Sequence, residues 1–185
     1  MLGLLKPKNP HKENAKAAYR QALLRVRESV FYTDMGVPDN FDGRFDLLLL
    51  HVFALVHVVL ENHREDKQAQ DFNQALFDVF FADMDQTLRE MGIGDMGMSK
   101  HMKRMMKAFN GRMHIYEEAY CAKDANEKLL FNALRQNVYG TVNDDQVNNE
   151  HIDKLSCYLL ALIGSLKENG RDNVMNGRVA LAEVK

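Results

Sequence analysis

Residues 47–60 of this 185-residue chain read LLLLHVFALVHVVL and form its longest apolar stretch. Polar side chains interrupt it only at His51 and His57, and it is shorter than the roughly 20 residues that a helix needs to span a bilayer. A helix that is apolar on most sides must be enclosed by its neighbours, so this stretch predicts the central helix of a bundle. Asp39 or Asn40 is suited to cap that helix at its N-terminus.

Helical periodicity continues on both sides of the central helix. Apolar residues recur at steps of three and four, and all three prolines lie at or before residue 38. The other predicted helices cover residues 14–30, 68–91, 99–120, 125–138 and 147–167, and a weak helix follows Gly170. The sequence therefore predicts an all-α, single-domain bundle of about six to seven helices. We divide the chain into an N-terminal extension (1–13), a helical domain (14–170) and a C-terminal tail (171–185).

Composition indicates a folded protein and gives little direct information on function. Apolar residues make up 46% of the chain and charged residues 27%, which is typical of a soluble domain. The net charge of −2 gives no overall attraction to nucleic acid or anionic membrane, so such binding requires a local patch. Cys121 and Cys157 fit neither a disulfide framework nor a CxxC motif, which favours a reducing compartment.

The predicted helix after residue 98 carries two different sets of side chains. Methionine is flexible and polarizable, so a methionine face can adapt to varied apolar partners, although the same pattern also fits a methionine-filled core. A basic cluster attracts phosphate groups even on an acidic protein, although it is also typical of a solvated helix face. The predicted apolar binding set is Met98, Met102, Met105, Met106, Phe109 and Met113. The predicted anionic-surface set is Lys100, Lys103, Arg104, Lys107 and Arg112.

A third set of residues is predicted to be structural. Gly92 and Gly94 lie in a turn that ends the preceding helix at backbone angles closed to other residues. Arg44 lies in the first turn of its helix, where the dipole disfavours a cation, so we expect it to have an acidic partner and Arg44→Glu to lower the melting temperature clearly. The candidate partners are Asp83, Asp85 and Glu90. The whole predicted structural set is Asp39, Arg44, Asp83, Asp85, Arg89, Glu90, Gly92, Gly94 and Asp95.

Patterns of catalytic or metal-binding residues are weak. His51 and His57 are six residues apart, so they do not share a helix face as HxxxH ligands do, and hydrogen-bonded core histidines explain them as well. The sequence shows no nucleophile elbow, phosphate loop or dinucleotide fingerprint. We therefore predict no catalysis, no metal site and no cofactor. The alternatives are a haem- or metal-handling protein that uses His51, His57 or His101, and a generic peripheral membrane adaptor.

Several segments form an ordered pattern along the chain. They are Phe31-Tyr-Thr-Asp-Met-Gly-Val-Pro-Asp39, Asp42-Gly-Arg-Phe-Asp46, Asp83-Met-Asp85, Leu88-Arg-Glu-Met-Gly-Ile-Gly-Asp95, Lys103-Arg-Met105, Ala108-Phe109, Gly111-Arg112, Tyr116 and Asn137-Val138. Together they resemble the ubiquinol-cytochrome c chaperone family from about Tyr19 to Gly140. Two positions depart from the pattern: Ser99 can cap a helix where relatives carry proline, and Asn110 lacks the aromatic ring found there in relatives.

The resemblance implies an all-α assembly chaperone for the cytochrome bc1 complex that holds newly made cytochrome b, or its nascent chain, without catalysis. The apolar set would then bind the client, and the basic set would face an anionic membrane or the ribosome. A second small chaperone subunit is a further partner that the family implies. Because the N-terminal residues show no signal or transit peptide pattern, we expect a bacterial, cytoplasmic protein that acts peripherally at the inner membrane.

Overall fold

The computed structural model describes residues 11–122, 126–143 and 145–183. This part of the chain forms eight helices and no strand: α1 (His11–Val26), α2 (Val30–Thr33), α3 (Phe41–Leu60), α4 (Lys67–Glu90), α5 (Asp95–Cys121), α6 (Asn126–Asn137), α7 (Asn149–Asn169) and α8 (Arg171–Met175). The all-α prediction is confirmed. The helix beyond the predicted number is α2, which begins where the first predicted helix was expected to end.

The apolar stretch forms most of α3, which is the central helix as predicted. Asn40 is the cap, and its side chain accepts a hydrogen bond from the backbone N–H of Gly43 at 2.9 Å. A Cβ at Gly43 would lie 2.1 Å from the carbonyl oxygen of Pro38, so only glycine permits this close start. Of the described helices, α3 alone is long and apolar enough to cross a membrane, but 83% of its most apolar window is buried inside the fold.

The helices α1, α4, α5, α7 and α8 pack around α3. α1 packs along α4, α7 packs along α3, and α5 packs along α6. The buried side of α1 is formed by Ala15, Ala18 and Ala22, whose small side chains allow α4 to approach closely. α7 contributes Leu155, Leu159 and Leu162 to the core. The predicted tail is part of this packing, since Val174 and Met175 of α8 are buried.

His51 is a hydrogen-bonded core histidine. It is 1% exposed, and its ring nitrogens lie 2.8 Å from the carbonyl oxygen of Leu47 and 2.7 Å from the hydroxyl of Tyr158. Burial lowers the pKa of His51 to about 4, so the ring is neutral at physiological pH. Both ring nitrogens therefore have protein partners, and His51 offers no free ligand atom.

The turn between α4 and α5 is tighter than the sequence predicted. Gly92 adopts a φ of 84°, and Ile93 N–H donates to the carbonyl of Leu88 at 3.0 Å while Gly92 N–H donates to that of Arg89 at 2.9 Å. These two bonds define a Schellman cap. α5 then begins at Asp95 rather than Ser99, so the predicted start of this helix is wrong by four residues and Gly97 is helical. Gly94 precedes the helix as its cap residue.

Arg89 joins the two sides of this turn. Its guanidinium donates to Asp85 on α4 and to Asp95 at the start of α5, each at 2.8 Å. Glu90 instead accepts a hydrogen bond from Gln86 at 2.9 Å. Three residues of the predicted structural set therefore form one cluster: Asp85, Arg89 and Asp95. Within it, Arg89 links the end of α4 to the start of α5.

Arg44 has a different partner from those predicted. It pairs with Asp39, five residues earlier, with 2.6 Å between Nε and Oδ1, and its guanidinium lies 5.3 Å from the centre of the Tyr32 ring. Asp83 accepts a hydrogen bond from the hydroxyl of Tyr19 at 2.7 Å. The prediction of a partner on α4 is therefore wrong, because a nearer carboxylate at the surface satisfies the cation.

Candidate functional site

The buried face of α5 contains half of the predicted apolar set. Met98, Met105 and Phe109 follow one another at steps of seven and four residues, which places them on one side of the helix. That side faces the core, and none of the three is more than 7% exposed. Met98 and Met105 therefore pack into the core, whereas Phe109 also lines the groove described below, and the client-binding role of the three residues stays a prediction.

The other half of the set lies along the edge of α5 that faces α4. Met102 and Met113 are half-buried against the core, and Met106 is 41% exposed. Steps of four and seven residues align the three side chains along the helix. This edge remains available to an apolar partner, whereas the buried face does not.

A groove opens between this edge of α5, the facing side of α4, and α3. We call it the α4–α5 groove, and its volume is about 450 Å³. Its apolar lining is Val52, Val56, Leu60, Phe77, Phe109 and Met113, and its polar lining is Arg64, Gln70, Asn73 and Gln74. Both polar side-chain atoms of Asn73 are buried, and neither has a hydrogen-bond partner within the described chain. Asn73 therefore offers a donor and an acceptor to whatever occupies the groove.

Aromatic rings form the floor of the α4–α5 groove. The ring of Phe109 lies 5.5 Å from that of Phe77, 5.2 Å from that of Phe80 and 5.5 Å from that of Phe81, measured between ring centres. Rings at these separations attract one another beyond the effect of area burial alone. The floor is consequently preformed and belongs to the core, while Met113 adds one flexible side chain to the lining.

A smaller cleft of about 230 Å³ continues the groove toward the C-terminal end of α5. The two cavities share Val56, Leu60, Arg64 and Met113. At its base the buried ring of His57 lies 2.8 Å from a carboxylate oxygen of Glu117, whose other oxygen accepts from Arg64 at 2.5 Å. The hydrogen bond with His57 is the main cause that lowers the pKa of Glu117. Among the described residues, His57, Glu117 and Cys121 bring three ligand atoms together as a metal ion would need.

The flank of α5 that faces α6 is closed by a buried ion pair. Arg112 Nε lies 2.5 Å from Oδ1 of Asp46 on α3, and Asp46 is 3% exposed. Burial raises the pKa of Asp46 to about 6, although the charge of Arg112 opposes that rise. Arg112 therefore neutralises a buried carboxylate, and its predicted role in binding an anionic surface stays a prediction.

The remaining basic residues of α5 do form a surface stripe. Lys100, Lys103 and Lys107 are exposed, and no carboxylate pairs with any of them in the part of the chain that the structure describes. Arg104 lies beside them, 3.4 Å from a ring nitrogen of His101. The fully exposed Met96 lies on the same face of α5 as Lys100 and Lys103, which follow it by four and seven residues. We refer to Lys100, Lys103, Arg104 and Lys107 as the basic stripe.

Comparison with known proteins agrees with this architecture. The family model described as ubiquinol-cytochrome C chaperone matches residues 33–181. The chain belongs to the ubiquinol-cytochrome c chaperone family. The resemblance inferred from sequence segments is confirmed, and the family match continues past Gly140, where the segment pattern became thin.

A solved structure has a similar fold. The crystal structure of the Cbp3 homolog from Brucella abortus is similar to this chain with a TM-score of 0.79 at 30% identity, covering 94% of this chain and 91% of that one. No curated protein matches the chain. Family membership and fold therefore rest on two independent comparisons, of sequence and of structure.

The family-like segments meet at one place in the fold. Residues from five of them line a cleft of about 390 Å³ between α3, α5 and α6, which contains the Asp46–Arg112 pair. These residues are Asp42, Phe45, Asp46, Arg104, Met105, Ala108, Arg112 and Asn137. The groove residues Val56, Asn73 and Phe77 lay outside the predicted sets, because in the sequence they look like ordinary members of helical patterns. Only the packing of α3, α4 and α5 brings them together.

Proposed function

We propose that this chain is an assembly chaperone for the cytochrome bc1 complex that binds an apolar segment of newly made cytochrome b in the α4–α5 groove. The supporting observation is an open apolar groove, lined in part by Met113, in a member of the ubiquinol-cytochrome c chaperone family. To bind and release a client, the chaperone does not need to make or break a covalent bond in that client. The proposed activity is therefore not enzymatic.

The groove suits a segment of a membrane-embedded client. Apolar side chains of an unassembled membrane helix lose contact with water when they enter a preformed apolar groove, and this favours binding. Met113 in the lining can adjust to different side-chain shapes. Asn73 offers a hydrogen bond to a polar group that would otherwise be unsatisfied in an apolar surrounding.

The basic stripe supports a location beside an anionic surface. Three unpaired lysines on one face attract the headgroups of anionic lipids at about 1 kcal/mol each near the surface. We propose that the stripe holds the chaperone at the cytoplasmic face of the inner membrane, where cytochrome b is inserted. A ribosome and a second chaperone subunit are further partners consistent with the proposal.

Photocrosslinking tests the groove directly. A photoreactive amino acid is placed at Met113 in the groove or, as a control, at Leu24, which is 48% exposed on α1 and lies outside the groove lining. Under native expression we expect cytochrome b to be crosslinked from position 113 and not from position 24. Equal crosslinking from both positions, or none from position 113, would contradict the proposed groove. The same gels would show ribosomal proteins or a second subunit.

Flotation with vesicles tests the basic stripe. Changing Lys100, Lys103 and Lys107 to Glu should abolish binding to vesicles that contain phosphatidylglycerol, and wild-type binding should weaken as salt is raised. The matched control changes Lys16, Lys67 and Lys154 to Glu, since each of these exposed lysines already pairs with a carboxylate. If both triple variants lose binding to the same degree, net charge rather than the stripe is responsible.

A further inference from the structure

Three side chains with different ligand chemistry converge where α3 meets the C-terminal end of α5. They are His57 on α3 and Glu117 and Cys121 on α5, and their ligand atoms all lie within 4.8 Å of one another. Nδ1 of His57 is 2.8 Å from Oε2 of Glu117, and Sγ of Cys121 is 3.8 Å from Oε1 of the same carboxylate. Glu117 and Cys121 are four residues apart, so they share one face of α5.

These separations are close to those in a tetrahedral zinc site. Zinc binds imidazole nitrogen, carboxylate oxygen and thiolate sulfur at about 2.0 to 2.3 Å, which places the ligand atoms of one site about 3.3 to 3.7 Å apart. Shifts on the order of 1 Å in His57, Glu117 and Cys121 would therefore bring all three within bonding distance of one ion. A combination of nitrogen, oxygen and sulfur ligands favours zinc over magnesium or calcium, which prefer oxygen alone.

The second nitrogen of His57 supplies an independent indication. His57 is 4% exposed, and its Nε2 is buried without a hydrogen-bond partner in the described structure. Oε1 of Glu61 lies 3.7 Å away and is itself held by Lys167 at 2.8 Å. A histidine that binds a metal through one nitrogen almost always directs its other N–H at a carboxylate or carbonyl. With Nδ1 on a metal ion, Nε2–H of His57 would point to Glu61.

The surroundings leave room for the remaining coordination position. The smaller cleft of about 230 Å³ is lined by His57 and Glu117, so one side of the cluster is open to solvent. His114, one turn before Glu117, lines the same cleft. Arg64 pairs with the carboxylate oxygen of Glu117 that faces away from His57, and this leaves the nearer oxygen available to an ion.

We propose that His57, Glu117 and Cys121 form a binding site for a zinc-class divalent cation that joins α3 to α5. The site goes beyond the proposed chaperone function and does not depend on it. On binding, a zinc–sulfur bond forms, the thiol proton of Cys121 passes to solvent, and no electron is transferred. Because Val56, Leu60 and Met113 line both cavities, an ion here would fix the end of the α4–α5 groove.

The test uses the full-length, untagged chain under reducing conditions, titrated with Zn²⁺ against a chromophoric chelator and separately with Co²⁺. Cys121→Ser is compared with Cys157→Ser, since Cys157 is also a free, exposed cysteine but lies on α7 outside the cluster. We expect wild type and Cys157→Ser to bind one ion and to show a sulfur-to-cobalt charge-transfer band. Cys121→Ser should lose that band and bind Zn²⁺ at least about tenfold more weakly, since even indirect changes around a metal cost that much.

A second variant distinguishes a loss of the zinc site from a loss of folding. Glu117→Gln keeps the size of the side chain and removes its charge, so it should weaken Zn²⁺ binding while circular dichroism shows unchanged helicity. In wild type, one equivalent of Zn²⁺ should also raise the melting temperature. No stoichiometric Zn²⁺ binding by wild type, or equal affinity in Cys121→Ser and Cys157→Ser, would overturn the site.

Discussion

The two flanks of α5 are built in opposite ways. Toward α6, the helix is closed by packing and by the buried pair of Arg112 with Asp46. Toward α4, it stands apart and leaves the α4–α5 groove, lined by apolar side chains. One flank therefore contains a carboxylate that is almost fully buried beside its cation, and the other contains apolar surface that lines an open groove.

The two flanks of α5 therefore suit different tasks: the flank with the ion pair supports the fold, and the flank with the groove suits the binding of a partner. A buried ion pair is sensitive to the loss of either partner, which suits a contact that fixes the position of a helix. An open apolar groove contributes less to stability than a closed one would, so its retention is better explained by a partner than by folding. Four substitutions, taken from the largest to the smallest expected effect, test this difference between the flanks.

The largest effect should come from the floor of the groove. Phe109→Ala removes a ring that is 7% exposed and touches three other aromatic rings, so we expect a loss of about 3 to 5 kcal/mol in the free energy of unfolding. Denaturant unfolding measures it. Met106→Ala, at a 41% exposed position of the same helix, is the control and should cost less than about 0.5 kcal/mol. Equal losses would mean that the floor of the groove is not part of the core.

Breaking the closed flank should have the next largest effect. Arg112→Met leaves the carboxylate of Asp46 buried without its cation, which should cost roughly 2 to 3 kcal/mol at pH 7.5, less than for a fully buried pair because Arg112 keeps some contact with solvent. Arg104→Met, on the same cleft, is the control and should be close to neutral. Arg112→Lys restores the charge and should recover part of the loss.

The cost of Arg112→Met should also depend on pH. The folded-state pKa of Asp46, about 6, is above its ordinary value of 3.8, so the folded chain binds the extra proton between these values and this group's contribution to stability falls as pH rises through that window. Removing Arg112 raises the folded pKa further. The difference between variant and wild type should therefore shrink at pH 5, where Asp46 is protonated, and a constant difference would contradict the buried-charge explanation.

The turn that sets the direction of α5 should contribute less. Gly92→Ala places a side chain at a φ of 84°, where nothing lies within 4 Å of the new Cβ, so only the backbone cost of about 1 kcal/mol is expected. Gly111→Ala is the matched control, since its Cβ also meets nothing within 4 Å but lies inside α5. That change should stabilise the protein by up to about 1 kcal/mol. Thermal unfolding should therefore show a lower melting temperature for Gly92→Ala and a higher one for Gly111→Ala.

The smallest effect is expected at Arg44, outside both flanks. Its pair with Asp39 is exposed on both sides, so Arg44→Glu should cost less than about 1 kcal/mol rather than lowering the melting temperature clearly. Double-mutant cycles identify the partner. Coupling should be detectable with Asp39 and absent with Asp83, and the reverse would restore the partner on α4 that the sequence suggested.

Features that depend on neighbouring residues were open to prediction from the sequence. The periodicity of residues 47–60 determined a buried central helix, because an apolar helix has no other stable place in a soluble fold. Asn40 was one of two candidate caps, and the glycine at position 92 marked the end of α4 by its freedom to adopt a positive φ. Ordered segments also identified the family, since they extend from about Tyr19 to Gly140 rather than marking one site.

Features that depend on how helices meet were decided only by the tertiary structure. A methionine pattern cannot show which part of a face is covered, so Met105 in the core and Met106 at the surface look alike in the sequence. Asp46 and Arg112 are 66 residues apart, and His57 and Glu117 are 60 apart. Charge pairing and ligand geometry depend on distances in space, which a local sequence pattern does not contain. The packing of α5 between α3, α4 and α6 therefore determined both the α4–α5 groove and the cluster of His57, Glu117 and Cys121.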